Sequence, residues 1–205
     1  RDMGKKYGLS GAFVLLCALL LCCESISLLV ALLLAVAIHE GGHMGAIWLC
    51  GGQVERLGLG LGGMDIRYRC IRDTYGKDAF IALMGPGMNL LSCGAGAFLA
   101  KWLPWEGIYL FCGCSALLGC FNLLPALPLD GGVFLRAMLL RRGELEWSDR
   151  VLTASSLALG VLLLCAGAVL FVSSGGNCTL LVCAGAVLGR LVRNYFTPGR
   201  KSFIV

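Results

Sequence analysis

The sequence predicts an all-α polytopic membrane protein with six transmembrane helices and a small membrane-associated β-hairpin between helices 2 and 3. Three observations support this class. Hydrophobic residues make up 58% of the 205 residues. Charged residues make up only 14%, whereas soluble domains carry about 25%. The apolar residues occur in long runs, and the basic residues cluster between those runs.

Each predicted span is an apolar run close to the length that crosses a bilayer, for which about 20 residues are needed. The first and the last runs are the shortest. We interpret residues 1–205 as a single intramembrane domain. The six predicted spans cover residues 9–23, 26–50, 79–100, 107–127, 151–172 and 179–192.

The positions of Lys and Arg predict the orientation in the membrane. All of them except Lys101 precede the first span, follow the second or the fourth, or lie in or after the sixth. By the positive-inside rule, both termini then face the cytoplasm. The net charge of +5 is spread over short clusters, so we expect no nucleic-acid partner.

Residues 53–69 form the longest stretch without a helical pattern. After the pair Gly62-Gly63, apolar and charged side chains alternate over residues 64–69. Alternation next to a Gly-Gly turn predicts a β-hairpin. The alternative is a short amphipathic loop that lies on the cytoplasmic face of the membrane.

A zinc-binding pattern lies inside the second predicted span, where residues 39–43 read His-Glu-Gly-Gly-His. Positions i and i+4 of a helix share a face, so His39 and His43 can bind one zinc ion. Zinc makes water nucleophilic at neutral pH, and Glu40 can act as the general base. Ionisable residues at membrane depth indicate function; the alternative is a buried polar network between helices.

Asp130 is the best candidate for a third zinc ligand. A catalytic zinc site commonly has three protein ligands, and the sequence contains only two histidines. Asp130 is the only acid in a long apolar stretch, where Pro125 and Pro128 break the helix and Gly131-Gly132 permits close backbone approach. The acids between spans 2 and 3 are better explained as solvated or capping residues. The alternative for Asp130 is an N-cap.

Three glycines in or beside the zinc pattern, Gly41, Gly42 and Gly45, lower the stability of an isolated helix. Small residues let a neighbouring element approach a helix closely. We therefore expect them to leave room for the broken segment before Asp130 or for a substrate. Ordinary helix packing is the alternative.

Three motifs together resemble the site-2 protease family of intramembrane metalloproteases. They are the HExxH pattern at 39–43, Gly-Pro-Gly-Met-Asn at 85–89, and Asn-x-x-Pro-x-x-Pro-Leu-Asp-Gly-Gly at 122–132. The six spans without an internal PDZ domain resemble the branch that contains the bacterial stage IV sporulation protease. Members of that branch often carry a C-terminal CBS domain, and we expect neither a CBS nor a PDZ domain in residues 1–205.

The resemblance implies hydrolysis of a peptide bond in or near the membrane. It implies that Zn²⁺ is held by His39, His43 and Asp130, with Glu40 as the general base. It also implies that Asn89 and Asn122 lie near the active site and hold the substrate or an oxyanion; the alternative is that their amides tie helices together.

The resemblance also implies regulated intramembrane proteolysis in a bacterial cell membrane, with the active site opening toward the cytoplasm. The implied partners are the lipid bilayer, a membrane-associated protein substrate and a regulatory membrane protein. The substrate would be a sporulation sigma-factor precursor or an anti-sigma factor. An edge strand of the hairpin at 53–69 would bind it by β-addition.

Two other functions fit the same residues. A zinc-binding membrane transporter needs the metal ligands but no hydrolysis, and a non-hydrolytic membrane scaffold needs neither. Glu40 separates them from the protease, because a transporter does not require a carboxylate positioned to take a proton from water.

Overall fold

The structure is a computed structural model that describes residues 7–9, 25–60, 63–70, 74–127, 129–143, 145–173, 185 and 188. For residues 7–9, 55–60, 63–70 and 145 it describes the backbone alone. Most of the predicted spans 9–23 and 179–192 therefore lies outside the described residues.

The described part of the chain is mostly helical. Three of its helices are long and apolar enough to cross a membrane: α1, α2 and residues 146–173 of α5. Helix α3 is shorter, with 17 residues, which is the lower limit for a span. The helices are α1 (Ile26–Leu49), α2 (Tyr75–Leu99), α3 (Glu106–Asn122), α4 (Asp130–Arg141) and α5 (Leu145–Ser173).

Three of the predicted spans differ by several residues from the helices at one end, and one helix was not predicted. The third span, predicted over 79–100, lies in a helix that already begins at Tyr75. The fourth span, predicted over 107–127, ends at Asn122, because the residue before Pro125 is disfavoured in a helix. The fifth, predicted from residue 151, begins at Leu145. Helix α4 is the additional element. Its 12 residues are too few to read as a span, and two glycines stand at its start.

The distribution of polar and apolar side chains is the reverse of that in a soluble protein. Large apolar side chains such as Leu162 and Val172 are 64% and 82% exposed. Polar side chains such as His43, Asn89 and Ser115 are at most 1% exposed. Contiguous apolar surface of this kind needs an apolar environment. Together with the three candidate spans, it indicates a multi-pass membrane protein.

Helix α2 is at the centre of the helical packing, since it contacts α1, α3 and α4. Most of the fully buried apolar residues of α1 and α2 are alanines, among them Ala35, Ala46 and Ala82. At Gly42, a Cβ atom would lie 2.5 Å from the carbonyl oxygen of Met84. The small residues therefore let α1 and α2 approach almost backbone to backbone.

Two antiparallel strands, β2 (Gly52–Gly60) and β3 (Gly63–Cys70), follow α1 in the region where we predicted a hairpin. Gly51, with φ of 71°, makes the turn from α1 into β2. The connecting residues 61 and 62 lie outside the described residues. Association of the strands with a membrane remains a prediction.

A third strand, β1 (Tyr7–Leu9), pairs in parallel with β2 and gives the sheet order β1-β2-β3. It was not predicted from the sequence. Three residues are too few to show the alternation that identifies a strand. Within the described residues, β2 is thus the central strand, and β3 is an edge strand.

Candidate metal centre

His39 and His43 face the same point from one side of α1. Their Nε2 atoms are 3.2 Å apart, and the two rings are nearly perpendicular, with centroids 4.8 Å apart. Both side chains are buried. The sequence spacing of four residues is sufficient to produce this pair, because one helical turn brings i and i+4 to the same face.

Asp130 reaches this pair from a different part of the chain. Its Oδ2 atom lies 3.0 Å from His39 Nε2 and 3.4 Å from His43 Nε2. Asp130 is the first residue of α4, and the N-cap is Leu129, which makes no side-chain capping bond. The structure therefore places Asp130 inside the helix start and not at the N-cap position.

The carboxylate reaches the histidines because the irregular segment 123–127 packs against the start of α4. A Cβ on Gly131 would collide with the backbone of Leu123, and one on Gly132 would lie 2.5 Å from the carbonyl carbon of Ala126. Only glycine allows this contact between two stretches of backbone. The close approach that we expected at Gly131-Gly132 is thus present.

The three side chains have the geometry of a metal site. Donor atoms around a tetrahedral zinc lie roughly 3.3 Å apart, given the usual Zn–N and Zn–O bond lengths. The three donor atoms here are separated by 3.0, 3.2 and 3.4 Å. Asp130 Oδ2 is also buried without a partner in hydrogen-bonding geometry among the described residues. The cluster of His39, His43 and Asp130 therefore fits a divalent metal ion.

One face of α2 forms the wall behind the two imidazole rings, through three residues spaced four apart. The main-chain carbonyl of Ile81 lies 2.8 Å from His43 Nδ1. Gly85 comes next, and a Cβ there would collide with the ring of His43. Asn89 follows, with Nδ2 3.2 Å from His39 Nδ1. The far nitrogen of each ring therefore has a partner on α2.

Comparisons with known proteins agree with this chemistry. Residues 97–166 match Peptidase family M50. This stretch contains Asp130 but not the HExxH pattern, so the two observations are independent. No curated protein matches the chain. Among solved structures, the chain is similar to "Site-2 Protease from Methanocaldococcus jannaschii", with a TM-score of 0.71 and 21% identity over 99% of this chain and 96% of that one.

These observations support a metalloprotease. The candidate spans and the shared fold further indicate that it is an intramembrane one. The match to the M50 family covers the end of α2, α3, α4 and most of α5, a part of the chain that is separate from the metal-binding pattern on α1.

The other predicted site residues lie at different distances from the cluster. Glu40 is buried beside His39 on α1. Asn89 contacts His39 from behind the ring. Asn122 is the last residue of α3, and its Nδ2 donates to the carbonyl of Leu118 in its own helix. The structure thus brings Asn89 into contact with a candidate ligand, whereas Asn122 borders the segment that carries Asp130.

Two contributors to the site were not found in the sequence. The carbonyl of Ile81 has no sequence signal, because every residue has one. Ser156 on α5 fixes the irregular segment: its Oγ accepts from the Leu127 N–H at 2.8 Å and donates to the Leu152 carbonyl at 2.6 Å. A serine in the middle of an apolar helix was the only sequence signal for Ser156. For α2, the spacing of four residues between Ile81, Gly85 and Asn89 indicated a shared helix face but not what that face contacts.

Proposed function

We propose that the chain is an intramembrane zinc metalloprotease that hydrolyses a peptide bond of a membrane-associated protein substrate. The observation that carries this proposal is the convergence of His39, His43 and Asp130 from two distant segments on one buried point. We assign these three residues as zinc ligands. Two imidazoles and one carboxylate are a donor set that catalytic zinc uses, with one position left for water or substrate.

Glu40 is proposed as the general base. Bound zinc would supply a Lewis acid that makes water nucleophilic and polarises the scissile carbonyl. Glu40 would take a proton from the attacking water and pass it to the departing amine, so that no net proton is consumed. Its burial beside His39 suits this task, because a charge that water does not screen acts strongly on nearby atoms.

We propose Asn122 as a group that holds the substrate or the oxyanion. Its amide stands where α3 ends and the irregular segment toward Asp130 begins. Its present partner is a carbonyl in its own helix, at 3.0 Å. That bond would have to be exchanged for one to the substrate. Asn89, which we predicted for the same role, makes a contact that favours a different one, argued below.

The edge of the sheet is proposed as the substrate-binding element. Strand β3 pairs with β2 on one side, and within the described residues its other edge carries no strand. A substrate segment that adds to this edge becomes extended. Extension matters because a helical peptide keeps its scissile carbonyl within its own hydrogen bonds.

The proposed setting is a bacterial cell membrane crossed by six spans, with both termini and the opening of the active site on the cytoplasmic side. The orientation rests on the distribution of Lys and Arg, and the six spans rest on the apolar runs. The bacterial membrane rests on the resemblance together with the charge asymmetry. The proposed process is regulated intramembrane proteolysis, with a regulatory membrane protein as a partner. A sporulation sigma-factor precursor or an anti-sigma factor is proposed as the substrate, on the resemblance to the sporulation branch.

The deciding experiment separates hydrolysis from metal binding. Glu40→Gln should lower cleavage of a membrane-tethered substrate by roughly 10²–10⁴-fold, the contribution of a general base. Its zinc content should equal that of the parent. Glu106→Gln, an exposed residue in the first turn of α3, is the control and should cleave normally. Cleavage by Glu40→Gln at the parent rate would show that the hydrolytic mechanism is wrong.

A further inference from the structure

The side chain of Asn89 has an unusual environment. It is completely buried. Its Nδ2 lies 3.2 Å from His39 Nδ1, while its Oδ1 has no hydrogen-bond partner among the described residues. A buried amide oxygen without a donor costs free energy, about 1–3 kcal/mol. The contact is with the nitrogen of His39 that points away from Asp130, so Asn89 lies outside the triangle of proposed ligands.

His43 shows what the second nitrogen of a ligating histidine requires. Its Nδ1 lies 2.8 Å from the carbonyl of Ile81. A carbonyl only accepts, so the proton of a neutral His43 ring is on Nδ1. The lone pair of Nε2 is then available on the side that faces Asp130. Histidines that bind metals commonly donate their other N–H in this way, which fixes both the tautomer and the ring orientation.

The same requirement at His39 determines which end of the Asn89 amide must face it. An amide N–H pointing at Nδ1 leaves the ring proton on Nε2, the atom that lies 3.0 Å from Asp130. A ring that binds a metal through Nε2 carries its proton on Nδ1 and needs an acceptor there. Rotation of the asparagine amide by 180° exchanges oxygen and nitrogen with almost no change in shape.

We propose that Asn89 is a positioning residue for the metal site: its Oδ1 accepts the Nδ1–H of His39 and leaves the Nε2 lone pair for the metal. This proposal rests on the proposed function. Helix α2 then holds both imidazoles, His43 through the main chain of Ile81 and His39 through the side chain of Asn89. Ile81 and Asn89 are eight residues apart, that is two i, i+4 steps, so both lie on the same face of α2.

Helix α3 packs against Asn89 and carries a buried hydroxyl group one turn away from the contact. It packs against Asn89 at Gly119, where an added Cβ would lie 3.3 Å from the Cβ of Asn89. Ser115 lies one helical turn earlier on the same face of α3. Its Oγ is fully buried and has no partner among the described residues. A hydroxyl accepts as well as donates, but this one makes no hydrogen bond to Asn89, so Ser115 would have to shift to accept from the rotated amide nitrogen.

Two substitutions of similar size test the proposal through zinc affinity. Asn89→Leu removes both ends of the amide, and we expect it to weaken zinc binding about 10–100-fold, as loss of such partners commonly does. Asn89→Asp keeps an oxygen and has no amide N–H. We expect it to bind zinc about as tightly as the parent. Affinity is measured by competition with a chelator in detergent. Leu91→Ala, at a position of the same helix that is 69% exposed, is the control and should leave zinc affinity unchanged.

The outcomes distinguish the alternatives. If Asn89→Asp loses zinc like Asn89→Leu, the oxygen is not the group that acts, and the proposal fails. If neither variant changes zinc affinity, Asn89 does not position His39, and the proposal fails as well. Failure of the proposed metal site gives a different result: His39→Ala would then bind zinc like the parent.

Nuclear magnetic resonance of the histidine rings provides a second test that does not depend on affinity. The chain contains only two histidines, so selective ¹⁵N-histidine labelling reports on these two rings alone. In the zinc-loaded parent we expect a proton on Nδ1 of both rings. Asn89→Leu should make one of these protons exchange rapidly with water and leave the other protected. A parent spectrum with His39 protonated on Nε2 would overturn the proposal.

Discussion

The two halves of the metal site are built in different ways. The half on α1 consists of His39 and His43, whose relation follows from four residues of regular helix. The half at Asp130 depends on the end of α3, the irregular segment 123–127 and the start of α4. Its position is fixed by contacts between stretches of backbone and by the hydrogen bond that the Leu127 N–H donates to Ser156 on α5.

This difference indicates where the site is vulnerable. The spacing of the histidines survives any change that leaves α1 helical, but their ring orientation depends on α2. The position of Asp130 instead depends on packing at several points of the irregular segment. Changes at that segment should therefore affect metal binding before they affect the helices, and the predictions below test this from the largest expected effect to the smallest.

If both halves bind one ion, removing a ligand from either half should weaken zinc binding to a similar extent. We expect His39→Ala and Asp130→Ala each to weaken zinc binding more than the roughly 100-fold expected for an outer partner. Metal analysis and chelator competition measure the loss. Asp149→Ala is the control, since this exposed residue lies 3.7 Å from Arg136 in a surface pair. If Asp130→Ala bound zinc with normal affinity, Asp130 would not be a zinc ligand.

Gly131→Ala tests the half at Asp130. The added methyl group would collide with the backbone of Leu123, and backbone cannot move aside as a flexible side chain does. We expect the segment to shift, carrying Asp130 away from the histidines and weakening zinc binding. Gly113→Ala on α3, where a Cβ meets nothing within 4 Å among the described residues, should bind zinc normally. Equal zinc affinity of the two variants would contradict the account of this segment.

Gly85→Ala tests the half on α1 through its support on α2. The methyl group would occupy the place of the His43 ring, and overpacking of this kind costs about 1–3 kcal/mol. We expect lower thermal stability in detergent together with weaker zinc binding. Gly87→Ala, two residues along the same helix with nothing within 4 Å, should be as stable as the parent or slightly more stable. A stable Gly85→Ala with normal zinc affinity would show that His43 has room to move.

Ser156→Ala should have the smallest effect. It leaves the half-buried Leu127 N–H without its acceptor, and the loss of one such hydrogen bond costs about 0.5–1.5 kcal/mol. We expect reduced thermal stability and only slightly weaker zinc binding, because the other contacts of the segment remain. Ser155→Ala is the matched control, since its Oγ bonds only within α5, to the Leu152 carbonyl. Identical melting temperatures of the two variants would show that the Ser156 bond does not hold the segment.

The glycines on α1 and α2 show how far sequence reasoning reached in the packing of the helices. We expected Gly41, Gly42 and Gly45 to leave room for the broken segment or a substrate. Gly42 follows the alternative of ordinary helix packing, since it accommodates the backbone of Met84 on α2. Within the described residues nothing lies within 4 Å of a Cβ at Gly41 or Gly45, so room for a substrate there stays a prediction. Glycine predicted that a neighbouring element would approach α1 closely. Which element approaches depends on how all the helices pack together.

The sequence by itself determined the membrane setting, the approximate helices and the three candidate ligands, because each depends on composition or on local spacing. Hydrophobic runs and the i, i+4 relation need no knowledge of distant contacts. Only the tertiary structure decided that Asp130 stands 3.0 Å from His39 and that α2 supplies a partner for each ring. Those facts depend on where separate segments pack, and local residue patterns do not specify it.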